Sequence, residues 1–178
     1  MKILLIKFRN IGDVLLSTPL ISNLKYHYPE SKIDFLLNKG CEEMVYQNNN
    51  LDKVIVYDRP RIKKLKIFSQ LFEEIKLTSS IRQNQYDIVI NLTEGERGAQ
   101  ITLFSGAKIK LGFAVRKGFL SFIRVFDKIG DDKKWQHTVE KDLQFLNLLG
   151  KKIVTKKVFI NWNLEIEKDV NRILKENK

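Results

Sequence analysis

The chain has 178 residues, which suits one domain with a proper core. A hydrophobic share of 43% beside 30% charged residues excludes a disordered chain, and the longest apolar runs are too short to cross a bilayer. The 32 Lys and Arg against 21 Asp and Glu leave a net charge of +11. That charge belongs either to a lysine-rich solvated surface or to a surface for an anionic partner: nucleic acid, a phosphorylated saccharide or a membrane.

Met1 and Lys2 lead straight into a strand pattern at 3–7 (ILLIK), so no signal peptide is expected. A helix is predicted over 13–27, with Pro19 kinking or tightening it and His27-Tyr28-Pro29 ending it. A strand at 32–37 (KIDFLL) and a helix at 40–47 follow. Cys41 stands alone, which excludes an intrachain disulfide and fits a reducing cytoplasm. Next come a strand at 53–57 (KVIVY), a helix at 66–84, a strand at 86–91 (YDIVIN), a helix at 97–105 and a strand at 108–112 (KIKLG). A helix at 136–149 ends at Gly150 as a C′ glycine. Residues 151–163 read as an extended connection, and a last helix at 164–176 carries Leu164, Val170, Ile173 and Leu174 on one side. Nearly continuous apolar strands alternating with helices predict an α/β fold with a doubly wound parallel sheet.

In such a sheet, ligands bind beyond the carboxyl ends of the strands. The stretch KFRNIGDVLLSTP, residues 7–19, leaves the first strand there. Gly12 permits a sharp turn or a close backbone approach. Asp13 falls in the first helical turn, where the helix dipole and the cations Lys7 and Arg9 favour its ionised form. Asp13 is then either a helix-capping carboxylate or a base that accepts a hydroxyl proton. The loop is neither G-x-G-x-x-G nor a P-loop, so a dinucleotide or Walker-type site has no support.

NLTEGERGAQ, residues 91–100, follows the fourth strand. Thr93, Gly95, Arg97 and Gly98 offer hydroxyl, guanidinium and backbone donors to a polar ligand, and Glu94 and Glu96 are a candidate carboxylate pair or a helix start. RPRIKKLK, residues 59–66, carries five cations. It is either a solvated loop or a landing site for phosphate, with Arg59 and Arg61 suited to bidentate contacts. Arg116-Lys117 has the same two readings. His137, at the start of the 136–149 helix, reads as a cap, or as a sugar or phosphate contact if that helix start faces the cleft. No D-x-D pair or His cluster is present, so neither a metal site nor a cofactor is expected.

KILLIKFRNIGDVLLSTPLISNLKYHYPESKIDFLL resembles the opening of the lipopolysaccharide heptosyltransferases, glycosyltransferase family 9. Lys-x-Arg before Gly-Asp, and LLSTPLISNLK after it, look most like the heptosyltransferase III branch, and YDIVINLTEGERG and HTVEKDLQFLNLLG match later landmarks in order. The resemblance implies the Rossmann-like amino-terminal half of a GT-B fold, with residues 1–162 binding the acceptor and 163–178 forming a terminal helix toward a donor domain. It implies that Asp13 is the catalytic base of an inverting transfer of heptose from ADP-heptose. It further implies that the acceptor, an anionic core saccharide, is met by Lys7, Arg9, Asn10, Gly12, Arg59, Arg61, Thr93, Arg97 and His137. The donor would bind only through a domain that this stretch does not contain, so the chain alone is expected to be inactive. A cytoplasmic protein with peripheral contact at the inner membrane is the expected setting. A basic nucleic-acid-binding α/β module is the competing reading, which no helix-turn-helix, RNP-like or zinc spacing supports, so no nucleic acid is expected. A Rossmann-like domain kept only for protein contacts is a third.

Overall fold

Ile3, Leu4, Leu5 and Ile6 are apolar in succession, and all four are completely buried. A strand covered on one face alternates; this one is covered on both. The computed structural model describes residues 1–8, 10–132, 136–162 and 164–176. Its strands are β1 (Lys2–Lys7), β2 (Lys32–Asn38), β3 (Lys53–Tyr57), β4 (Ile88–Asn91), β5 (Ile109–Phe113) and β6 (Lys128–Gly130). They form one parallel sheet in the order β3-β2-β1-β4-β5-β6. Ile6 sits opposite Leu36 on one side and Asn91 on the other.

Among the described residues, seven α-helices accompany the strands: α1 (Ile11–Leu15), α2 (Thr18–His27), α3 (Arg59–Lys63), α4 (Ile67–Gln83), α5 (Glu96–Phe104), α6 (Thr138–Leu148) and α7 (Leu164–Glu176). The strand pleat divides the core in two. Ile3, Leu5, Ile33, Phe35, Ile88 and Ile90 pack against Leu20, Ile21 and Leu24 of α2 and Val139, Leu143 and Leu146 of α6. Leu4, Ile6, Leu36 and Val89 pack on the other face against Ile62 of α3, Ile81 of α4 and Ile101 of α5. Each such side chain, taken out of water, stabilises the fold by about 1.5–3 kcal/mol.

The expected doubly wound sheet is present, with these departures. The helix expected over 13–27 is two helices, α1 and α2. Pro19 sits in the first turn of α2, where its missing N–H costs nothing, instead of kinking a longer helix. The helix expected at 40–47 is only a 3₁₀ turn, Glu42–Met44. The run 59–66, read as a loop, contains α3, which Asp58 caps by accepting the Arg61 N–H at 3.0 Å. A further 3₁₀ turn, Phe119–Phe122, follows β5, and β6 is an added edge strand.

Gly150 does close α6: at φ +73° it takes a left-handed conformation, and Lys151 N–H reaches Leu146 O at 2.9 Å as Gly150 N–H reaches Asn147 O at 2.9 Å. The segment after it is extended and held by two buried side chains of α2. Asn23 on α2 donates from Nδ2 to Thr155 O at 2.7 Å and accepts from the N–H of Val154 at 2.6 Å. Thr18 Oγ1 accepts from Phe159 N–H at 3.0 Å.

Candidate active site

From β1 the chain winds outward through β2 and β3, then returns to β4 and winds the other way through β5 and β6. The crevice above β1 and β4 is the topological switch point, where open α/β sheets bind ligands. Two cross-links hold its floor. Leu92 N–H donates to Ile6 O at 2.9 Å, and Phe8 N–H donates to Thr93 Oγ1 at 2.8 Å.

Asp13 stands at this crevice, half-buried, in the first turn of α1. It lines a cavity of about 120 Å³ with Lys7, Leu92, Thr93, Glu94, Phe113, Thr138, Lys141 and Asp142. Thr138 Oγ1, from the first turn of α6, lies 3.4 Å from Asp13 Oδ1. The sharp turn into α1 is made by Asn10, whose φ of +36° is unusual for a residue with a side chain. Gly12, read as permitting either a sharp turn or a close backbone approach, does not make that turn, since its φ is not left-handed. What it does supply is room, since a Cβ there would meet nothing within 4 Å.

Beneath Asp13 is a buried charge pair that the sequence reading missed. Lys7 Nζ lies 2.9 and 3.0 Å from the two carboxylate oxygens of Asp142. Ser17 Oγ lies 2.6 Å from Asp142 Oδ2 and 2.9 Å from the backbone carbonyl of Asp13, so one hydroxyl proton serves two acceptors. Burial pushes the Asp142 carboxyl above the usual carboxylate range. The charge of Lys7 and the hydrogen bonds from Ser17 and Lys7 pull it back, while the charge of Asp13 adds to the rise. Val139, Asp142, Leu143 and Leu146 share one face of α6, so a carboxylate inside an apolar stripe was the available signal.

Glu94 and Lys141 form the rim. Lys141 Nζ bonds both Glu94, at 3.2 Å, and Asp132, and Arg116 reaches Asp132 at 3.3 Å. Burial alone would lower the Lys141 ammonium. Its bonds to Asp132 and Glu94 outweigh this and hold it above its ordinary value. Glu94 also lines two adjoining clefts. One contains Phe8, Asn38, Arg59, Thr93 and Arg97; the other contains Glu96, Arg116, Lys117 and Gly118. The carboxyl edge of the sheet is therefore a row of clefts joined at residue 94.

The remaining expected contacts divide. Thr93 and Arg59 line this row. Arg97 lines it too, but its guanidinium stacks 4.6 Å from the Tyr57 ring centroid and pairs with Glu74 at 3.2 Å. Burial and the bond to Glu74 push the Tyr57 phenol up to about 12. Arg61 pairs with Glu73 at 3.2 Å. His137 is exposed and caps α6, its Nδ1 accepting from Val139 N–H at 3.3 Å. Arg9 lies outside the described residues. Of the two cations expected around Asp13, Lys7 already has Asp142 as its partner; Lys141, which was not among them, pairs with Glu94 and Asp132.

The sequence model of glycosyltransferase family 9 (heptosyltransferase) matches residues 75–176. Lipopolysaccharide heptosyltransferase 3 of Escherichia coli is 32% identical over 100 residues, 56% of this chain and 28% of that protein. Lipopolysaccharide heptosyltransferase 2 of E. coli K12 is 27% identical over 143 residues, 79% of this chain and 38% of its own length. Among solved structures, the family 9 glycosyl transferase of Veillonella parvula superposes with a TM-score of 0.79 at 23% identity, covering 99% of this chain and 49% of that one. E. coli heptosyltransferase WaaC, solved with ADP-2-deoxy-2-fluoro heptose, superposes with a TM-score of 0.73 at 21% identity, covering 89% of this chain and 51% of that one. These likenesses carry the fold, a Rossmann-like half of the GT-B architecture, and the chain spans about half the length of those solved relatives. The chain belongs to glycosyltransferase family 9 (heptosyltransferase).

Proposed function

We propose that this chain is the acceptor-side domain of an inverting glycosyltransferase that moves heptose from ADP-heptose onto an anionic saccharide of the lipopolysaccharide inner core. The observation that carries this is the placement of Asp13. A half-buried carboxylate lines a cavity at the switch point of the sheet, beside the unobstructed backbone of Gly12. In the proposed step an acceptor hydroxyl enters the cavity and hydrogen-bonds Asp13. As its oxygen attacks the anomeric carbon, Asp13 takes the proton, the bond from that carbon to the diphosphate breaks, and ADP leaves. Attack from the face opposite the leaving group inverts the anomeric centre, and no covalent enzyme intermediate is required.

Thr138 orients the carboxylate, and the buried Lys7–Asp142 pair fixes α6, which carries Thr138, against the end of β1. Exposed Arg59 and the clefts on either side of Glu94 are the proposed contacts for the acceptor's acidic groups; nucleic acid has no part in this assignment. The donor is assigned to a second domain after residues 163–178, so residues 1–162 alone bind acceptor without transferring sugar. Peripheral contact with the cytoplasmic face of the inner membrane completes the proposal. Titration of a deacylated core saccharide into the chain, followed by amide NMR, tests acceptor binding. Shifts should centre on Asp13, Glu94 and Thr138, and shifts scattered over the cationic surface would count against the assignment.

A further inference from the structure

α4 has two apolar sides. Leu77 and Ile81 face the core, while Phe68, Leu71, Phe72 and Ile75 recur at helical spacing on the opposite side. Phe68 is 83% exposed and Phe72 66%. An amphipathic helix covering a sheet needs one apolar side, so the second requires its own explanation. The 3₁₀ turn after β5 adds Phe119 and Phe122, the latter 90% exposed. Between helix and turn lies an apolar groove of about 610 Å³, walled by Ile75, Leu103, Phe104, Phe119 and Ile123.

The charge around this surface is mainly positive. Residues 59–83 hold seven Lys and Arg against two carboxylates, and residues 114–124 hold three against none. Both carboxylates are already paired, Glu73 with Arg61 and Glu74 with Arg97. A second copy of this chain docked here would set cation against cation. Exposed phenylalanines flanked by cations on long flexible stems instead match a bilayer with anionic headgroups, in which rings enter the acyl boundary and ammonium groups stay at the surface. We propose that the outer face of α4 and the 119–122 turn form a docking surface for an anionic lipid bilayer. The assignment rests on the membrane contact proposed above and gives it a face. That face adjoins the cleft row: Phe119 follows the cleft residue Gly118, and Glu74 of α4 holds the cleft residue Arg97. A lipid-borne acceptor would thus be presented beside Asp13.

The test is co-sedimentation of the chain with saccharide-free vesicles, so that its outcome is independent of acceptor recognition and of catalysis. Vesicles of phosphatidylglycerol and phosphatidylethanolamine should carry the chain down, with binding weakened by salt, and phosphatidylcholine vesicles should not. The double variant Phe68→Ser/Phe72→Ser should bind roughly tenfold more weakly or worse. Phe122→Ser, on the separate turn, should weaken binding independently. Tyr26→Ser, on α2 across the sheet and 66% exposed, should leave binding unchanged. Absence of binding to the anionic vesicles, or equal binding by the phenylalanine variants and the parent, would overturn the proposal. So would a concentration-dependent dimer that these variants disperse without any vesicle binding, because it assigns the face to a second copy.

Discussion

Lys7 Nζ and the carboxylate of Asp142 meet at 2.9 Å with side-chain exposures of 7% and 1%. One lies at the end of the central strand and the other on the helix that closes the cleft. Removing one partner leaves a charge stranded in the core, whereas removing both leaves none. Asp142→Ala should therefore cost about 3–5 kcal/mol in urea unfolding. Lys7→Met/Asp142→Leu should recover most of that loss. If the double variant is no more stable than the single one, the pair is not acting as a unit.

The same pair sets a pH dependence of unusual sign. The folded-state carboxyl of Asp142 sits above its unfolded value, so its contribution is fully present below the unfolded pKa and fades as pH rises through the folded one. Asp132 is the opposite. The hydrogen bond from Lys141 holds it below the usual range, so its contribution is present above the unfolded pKa of about 4 and is lost as pH falls through the folded value. On acidification, Asp142→Asn should steepen the loss of stability and Asp132→Asn should flatten it. Urea midpoints measured across the acid range decide between these slopes and no change.

Asn23 is fully buried and spans to the extended segment through both ends of its amide. Asn23→Ala should destabilise the fold by roughly 1–3 kcal/mol, because Val154 N–H and Thr155 O lose their partner. Limited proteolysis should then cut near Thr155. A resistant segment would mean that packing of Ile153 and Val158, not the amide, holds it.

Gly98 lies in the first turn of the helix behind the cleft loop, and a Cβ there would run into the side-chain amide of Asn91. Asn91 is itself buried and accepts from Thr93 N–H at 3.1 Å. Gly98→Ala should cost about 1–3 kcal/mol as the loop is pushed out. Adding Asn91→Ala should relieve part of it, which thermal melts of the three variants would show.

Five strands and the α/β/α layering were legible because β1 and β4 are continuous apolar runs and β2 is one broken only by Asp34, a pattern that coverage on both faces explains. β6 was not: three residues, KIG, at a sheet edge leave no periodicity to read. α3 was hidden by its charge, although Asp58 followed by Arg59-Pro60 is a cap and a first-turn proline, a local signal stronger than the cation count. Asp13 could be singled out because a strand end, a glycine and a helix start coincide there. Asp142, Thr138 and Lys141 could not be joined to it by spacing, because 125 or more residues separate them and only the packing of α6 beside β1 brings them together.

The Arg59 and Arg61 pair separates in the structure. Arg61 is tied to Glu73, and Arg59 lines a cleft beside Glu94. Arg59→Ala should weaken acceptor binding more than Arg61→Ala does, with the difference growing at low salt. Equal effects would make this run a diffuse field instead of a contact.

The decisive measurement is sugar transfer by Asp13→Asn in a protein that carries this domain together with its donor-binding half. Acceptor affinity should stay within about twofold and turnover should fall by roughly 10²–10⁴, the range for losing a positioned base. Turnover equal to that of the parent enzyme would remove Asp13 from the reaction and leave it as an ordinary helix-end carboxylate.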